Sequence, residues 1–212
     1  MDTKDKHASG DYRSEVMRAR LMDATLDVIV QEGWAGASTP KICKQAQVSR
    51  GAQTHHFPTK TSLFMAAIER VARQYEDLLN QRMTSLGSEQ KPLRVILEVI
   101  WESMLDENYL TSTMEAMVAA RTDPELREPM ADLDNTAIGT ARSMVVDMAA
   151  SPESVGRVQD AIELSIYLFR ALVVQRGIHD DEKYKRRLFE VWCEFIESAL
   201  EVDLQGNSKS QA

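Results

Sequence analysis

The chain has 212 residues, 43% of them hydrophobic, and a formal net charge of −8 at pH 7, which is enough material for one large domain or two modest ones with a real core. The longest apolar-rich run, Ile162 to Val174, is 13 residues long and contains Glu163 and Arg170. That is short of the ~20 a membrane-spanning helix needs, and the polar N-terminus lacks the apolar centre of a signal peptide. Cys43 and Cys193 lie 150 residues apart and fit reduced thiols rather than a disulfide framework, so the expectation is a cytoplasmic protein with no membrane partner.

Apolar residues recur with helical period, and strand-like alternation bounded by hairpin turns is not apparent, so the fold class is all-α. In chain order the pattern predicts about nine helices, at 13–32, 39–46, 49–56, 59–83, 92–106, 109–121, 124–149, 152–176 and 183–202. Three starts pair a capping residue with proline at the first helical position: Thr39-Pro40, Asp123-Pro124 and Ser151-Pro152. Lys91-Pro92 is a weaker fourth. Gly33, Gly87 and Gly177 punctuate helix ends, and Pro129 is expected to kink or interrupt the helix containing it. Residues 1–12 and 204–212 read as disordered tails.

Charge is distributed unevenly. From Gly33 to Ile68 there are 36 residues without one Asp or Glu, although the chain owns 33; scatter would place five or six there. Lys41, Lys44, Arg50 and Lys60 lie inside this window. Residues 1–82 carry net +2 and residues 83–212 net −10, so one part can approach a polyanion that the rest repels. Geometry accounts for the window. Thr39 begins a short helix carrying Ile42, Cys43 and Ala46, Gln47-Val48 makes a tight turn, and Ser49 caps a second short helix ending at Phe57-Pro58. Two helices joined in this way form a helix-turn-helix. The second helix starts with Ser49, Arg50 and Gly51, polar or small where it would meet base edges. Thr59 caps the next helix, and Lys60 in its first turn joins free N–H groups and the helix dipole at a site for one anion.

The stretch "LMDATLDVIVQEGWAGASTPKICKQAQVSRGAQTHHFPTKTSLFMAAI" resembles the N-terminal domain of TetR-family transcriptional regulators. The carrying features are Ala24 and Leu26 in the first helix, the Gly33-Trp34 corner, Thr39, and "VSRGAQTHHFPTK" leading into "LF". The resemblance implies phosphate contacts for Thr39, Thr54, His56 and Lys60, and base reading by Arg50, Gly51, Ala52 and His55. Lys41 and Ser49 complete the expected DNA-binding set. Further along, "AARTDPELRE" at 119–128 also resembles many members. The family usually has glycine in the turn where this chain has Gln47, which costs roughly 1 kcal/mol in the left-handed region. It has Leu-Tyr where this chain has Gln53-Thr54, so an amide sits where packing is inward and a phosphate contact is shortened.

The implied layout is a helix-turn-helix domain at 13–60, the joining helix 59–83, and a ligand-binding and dimerisation domain at 84–203. In the last helix Tyr184, Leu188, Val191, Trp192, Phe195, Ile196 and Ala199 form an apolar stripe. The helix at 152–176 is apolar nearly all round from Ile162 to Val174, and pairing both with symmetry mates would cover them. Leu188, Val191, Trp192, Phe195 and Ile196 are therefore the expected dimer interface. Methionines cluster between 101 and 150 beside Trp101, and methionine-rich walls adapt to varied apolar ligands. Trp101, Met104, Met117, Met144, Met148 and Phe169 are the expected effector contacts, although the same residues also fill cores.

No nucleophile, base and orienting group fall in a recognisable arrangement, and no Gly-rich phosphate loop appears, so neither catalytic residue nor cofactor is assigned and no enzyme is expected. His55 and His56 point to different sides of a helix and have no third ligand nearby, so no metal is assigned. The sequence therefore reads as a cytoplasmic homodimeric repressor of a palindromic double-stranded DNA operator, released by a small apolar or amphipathic effector. Two alternatives stay open: a sequence-tolerant architectural DNA-binding protein, and an all-α small-molecule carrier without a DNA role.

Overall fold

The computed structural model describes residues 3–85, 92–175 and 181–200. These residues form nine α-helices: α1 Thr3–Gly36, α2 Thr39–Ala46, α3 Arg50–His56, α4 Lys60–Thr84, α5 Pro92–Leu105, α6 Glu107–Ala120, α7 Pro124–Met144, α8 Pro152–Val174 and α9 Glu182–Ala199. A short 3₁₀ turn, Val146–Met148, follows α7. No strand occurs among the described residues, as the helical period requires.

Besides the end of α7, at Met144 rather than near 149, three features depart from expectation. Helix α1 starts at Thr3 rather than near 13, so the segment expected as a tail is helical from Thr3. Its residues are polar but include no helix-breaking proline. The helical path breaks at Gly33, whose φ of 70° and ψ of 171° require a residue without Cβ. Helix α7 runs through Pro129 without interruption, because one missing N–H removes a single backbone bond while Leu126 and Met130 are buried on either side. Finally, Ser38 and not Thr39 occupies the N-cap of α2, with extended φ and no side-chain bond. The C-terminal tail expected at 204–212, Gly87 and Gly177 lie outside the described residues.

The caps expected at Asp123, Ser151 and Thr59 form, and Asp181 adds one that the sequence reading did not assign. Asp123 accepts from the Glu125 N–H at 3.0 Å, Ser151 from the Ser154 N–H at 3.3 Å, and Asp181 from the Tyr184 N–H at 2.9 Å. Thr59 and Ser62 cap α4 reciprocally: the Ser62 N–H donates to Thr59 Oγ1 at 2.9 Å and the Thr59 N–H to Ser62 Oγ at 3.1 Å. Each such cap contributes about 1 kcal/mol.

The chain clusters into two compact units, Met1–Val71 with Thr111–Met130, and Ala72–Leu110 with Ala131–Ala212. Chain order alone suggested a cut after the helix-turn-helix, so the grouping of Thr111–Met130 with the N-terminal segment is new. Within the first unit Leu21, Ile29, Ile42, Leu63, Phe64 and Ile68 are fully buried, and Trp34 meets Phe64 edge-on at 5.2 Å. Cys43 and Ala46 are buried small residues of α2. The second unit is built on α5, α8 and α9, which pack on one another around Trp101, Phe169 and Phe189, with ring centroids 5.1 to 5.4 Å apart. Trp192 Nε1 donates to Ser165 Oγ at 2.9 Å and ties α9 to α8.

Candidate nucleic-acid interface

Helix α2 ends in a left-handed residue. Gln47 has φ 56° and ψ 41°, its N–H donates to the Lys44 carbonyl at 3.2 Å, and the Val48 N–H reaches the Cys43 carbonyl at 3.0 Å. This is the hydrogen-bond pattern of a glycine-terminated helix made by glutamine. The chain then enters α3 through Ser49, whose Oγ accepts from the Ala52 N–H at 3.2 Å. Two short helices and a tight turn result, as predicted.

Helix α3 presents Arg50, Gly51, Thr54 and His55 to solvent, with Ala52 and His56 half-buried. Gly51 is informative because a Cβ built there meets nothing within 4 Å, and its φ is not positive. The fold itself does not require glycine at that position. Gln53 points inward, 1% exposed, and its Nε2 donates to the Phe57 carbonyl. That bond satisfies the amide where an apolar side chain would otherwise pack. Thr54 Oγ1 donates back to the Arg50 carbonyl at 3.0 Å, so its hydroxyl proton is directed into its own helix.

The remaining expected cations differ in availability. Lys44 and Arg50 are exposed. Lys41 is exposed but pairs with Glu32 and donates to the Gly36 carbonyl at 3.0 Å. Lys60 turns toward the Gly33-Trp34 corner. Its Nζ donates to the carbonyls of Trp34 at 2.7 Å and Ala37 at 3.1 Å, and lies 4.0 Å from the centroid of the Trp34 ring. Burial holds its ammonium below the ordinary lysine range, with Asp123 partly opposing. From the other side Glu115 accepts from the Trp34 N–H at 3.3 Å. Thr39 is half-buried beside this corner of the sequence.

Sequence reasoning missed Arg18. Its guanidinium carbon lies 5.0 Å from the centroid of Phe57, the residue that ends α3. Burial first, then the charges of His55 and Arg18, holds the His56 imidazole below its ordinary value. One turn of α1 before buried Leu21 and Met22, Arg18 carries no mark in the sequence that it faces a residue 39 positions later.

In the second unit the expected effector residues separate. Trp101 and Phe169 come together in the aromatic core, and Met104 is buried. Met144 and Met148 are half-buried, while Met117 belongs to the first unit. A polar cluster the sequence did not announce lies in the second unit. Tyr75 Oη donates to Asp106 Oδ2 at 3.3 Å, Arg170 pairs with Asp134 at 2.8 Å, and Arg82 pairs with Glu102 at 2.9 Å. Burial, then Asp106, pushes the Tyr75 phenol up to about 12, and burial raises Tyr109 as well. A shallow depression of about 390 Å³ at the end of α4, lined by Asn80, Gln81, Thr84 and Ser85, contains none of the expected effector contacts.

Of the expected interface residues, Val191 and Phe195 are exposed at 56% and 62%. Leu188 and Trp192 are half-buried, and Ile196 is buried within its own chain. Leu164, Tyr167 and Val174 on α8 and Tyr184 on α9 are also exposed. No group of three His, Cys, Asp or Glu able to hold a metal ion occurs among the described residues. No helix among them is long and apolar enough to cross a membrane.

Residues 21–67 match the model of the family described as bacterial regulatory proteins, tetR family. The chain is 35% identical over 116 residues to the HTH-type transcriptional regulator CymR of Pseudomonas putida, a stretch covering 55% of this chain and 57% of that protein. It is 32% identical over 84 residues to the regulator BetI of Paraburkholderia phytofirmans, covering 39% of this chain and 43% of that one. The chain thus spans about half the length of the curated relatives it matches. A transcriptional regulator from Rhodococcus sp. Rha1 superposes with a TM-score of 0.61 at 23% identity, over 86% of this chain and 96% of that one. FadR of Bacillus subtilis, solved in complex with stearoyl-CoA, superposes with a TM-score of 0.66 at 15% identity, over 89% and 98%. These two likenesses extend the shared fold beyond the matched segment. The α2–turn–α3 geometry thus lies within the segment, residues 21–67, that is similar to bacterial regulatory proteins of the tetR family.

Proposed function

We propose that the protein is a homodimeric, sequence-specific DNA-binding regulator that represses from a palindromic operator and is released by a small apolar or amphipathic molecule. The observation that carries the reading is α3 itself. It is an exposed helix with Arg50 and a sterically unneeded Gly51 at its start, inside 36 residues that contain no carboxylate. Glycine costs a helix about 0.5–1 kcal/mol relative to alanine, and close approach of another molecule's backbone gives that cost a purpose. Thr39, Lys41, Lys44 and Ser49 precede α3 in sequence, and Thr54, His55 and His56 lie on it, as backbone and base-edge contacts. Lys60 acts by holding the Trp34 corner in place as well as by its charge.

Dimerisation is supported by the exposed apolar side chains of α8 and α9, with Val191 and Phe195 at the centre and Leu188 and Trp192 beside them. A two-fold pair would present two α3 helices to half-sites about 34–36 Å apart. The effector is placed in the second unit, whose Met104, Met144 and Met148 supply adaptable apolar walls and whose Tyr75, Asp106 and Arg170 supply polar groups for one end of an amphipathic molecule. FadR's stearoyl-CoA is a ligand of that amphipathic kind. Helix α4 begins in the first unit and ends in the second, so it is the proposed coupling element, and coupling is reciprocal between effector and DNA.

An architectural role is disfavoured by net −10 beyond residue 82, and a carrier role leaves the acid-free window without a reason. Footprinting on the DNA flanking the protein's own gene separates the readings. A short symmetric footprint supports regulation, diffuse protection supports an architectural protein, and none supports the carrier.

A further inference from the structure

The site of interest lies at the C-terminal end of α3, where Arg18 of α1 reaches Phe57. Three observations meet there. Arg18 on α1 is exposed, and its guanidinium stacks 5.0 Å from the centroid of the buried Phe57 ring. His56 and His55 lie edge to face at 5.1 Å in the last turn of α3, and Arg18 is near enough to His56 for its charge to oppose protonation. Finally, no carboxylate pairs with Arg18 among the described residues, whereas Lys41 is matched by Glu32 and Arg70 by Asp23.

A stacked guanidinium keeps its N–H edge free while its rotamers are already restricted, so less entropy is lost when it meets a planar or tetrahedral anion. Arginine presents two parallel donors to a phosphate, a stronger pairing than a neutral hydrogen bond. The seven residues of α3 rise about 10 Å at 1.5 Å each, comparable with the major groove's width of about 12 Å. Arg50 stands at one end of that length and Arg18 at the other. We infer that Arg18 is a DNA-backbone anchor, a fixed phosphate contact contributed by α1 that holds the strand at the far end of the recognition helix. This inference rests on the DNA-binding reading above. Guanidinium chemistry at that position selects a phosphodiester without regard to base, so Arg18 sets register and affinity while Arg50 and His55 face the bases.

The competing account is that Arg18 merely packs on Phe57 and compensates the negative end of the α3 dipole. The test uses the full chain, the operator found by footprinting and a scrambled duplex of equal length, titrated by fluorescence anisotropy across about 50–200 mM salt. Arg18→Gln is expected to weaken binding about tenfold on both duplexes. It should lower the salt slope by about 0.9 per half-site, the value for one lost phosphate contact, with the melting temperature nearly unchanged. Arg18→Lys, which keeps the charge, should retain most of the slope. Wild-type binding with an unchanged slope and affinity in Arg18→Gln would overturn the anchor and leave the packing role. Failure of the wild type to bind either duplex would overturn the DNA-binding reading itself, and the anchor with it.

Discussion

Replacing Gly51 with alanine should move stability and DNA affinity in opposite directions. A Cβ at this position meets nothing within 4 Å in the free protein, and the backbone is not in the left-handed region. The substitution therefore relieves the conformational cost of glycine without a clash. The expected gain is about 0.5–1 kcal/mol, which for a chain of this size raises the melting temperature by about 1–4 °C. Against DNA the methyl group stands where α3 approaches the groove, and overpacking a close contact costs about 1–3 kcal/mol. Two half-sites double that, so operator affinity should fall at least about thirtyfold. Differential scanning fluorimetry and anisotropy on the same preparations give both numbers. A variant that melts higher and binds its operator as tightly as wild type would refute the close approach of α3. One that melts lower would refute the reading of the glycine environment.

Phe195→Asp or Val191→Asp, both exposed in the protomer, should yield folded monomers by sedimentation, because an unpaired carboxylate in an interface costs several kcal/mol; dimers at micromolar concentration would move the interface elsewhere. Lys60→Ala should lower stability by about 2 kcal/mol, since the Trp34 and Ala37 carbonyls lose a charged donor, and a thermal melt identical to wild type would show that the corner does not depend on it. His56 is held below the ordinary 6.5 in the free protein, and a phosphate beside it would favour the imidazolium. Binding should then take up a proton, so affinity falls as pH rises through the window between the free and bound values, and His56→Gln flattens that dependence. Stability of the free protein carries the opposite sign, because a depressed histidine contributes stability that is present above 6.5 and lost as pH falls through the folded value; a pH-independent affinity in wild type would exclude the contact. Cys193 is fully buried, and burial chiefly raises its thiol to about 12, while Cys43 is buried and raised too. Neither should react with a thiol reagent until the chain is unfolded in guanidinium, and rapid labelling of the native protein would contradict the packing of both.

The helices and turns were legible because their determinants are local. Period, caps and prolines placed α2 through α9 within a few residues, apart from the end of α7, and Gln47 took the left-handed position its place in the turn demands. Gln53 packs inward, where the sequence put an amide, and satisfies itself on Phe57 four residues on. What was not legible depends on partners distant in sequence. Lys60 has its carbonyl acceptors 26 and 23 residues away, and its first-turn position suggested an outward role. Arg18 gains meaning only from Phe57. Ile196 and Val191 share one stripe, yet the fold buries one and exposes the other, because a broad apolar stripe does not say which of its edges meets the core. The methionines between 101 and 150 split between two units for the same reason: composition carries no direction.

In the proposed function two copies of α3 read a two-fold symmetric DNA site. Enriching duplexes from a randomised library with the full chain, then sequencing the bound fraction, tests it most directly. The expected outcome is one short palindromic sequence whose half-sites are spaced to place two recognition helices about one helical turn, 34–36 Å, apart, with enrichment lost in Arg50→Ala. Recovery of duplexes without a shared sequence, or an enriched site without two-fold symmetry, would contradict it.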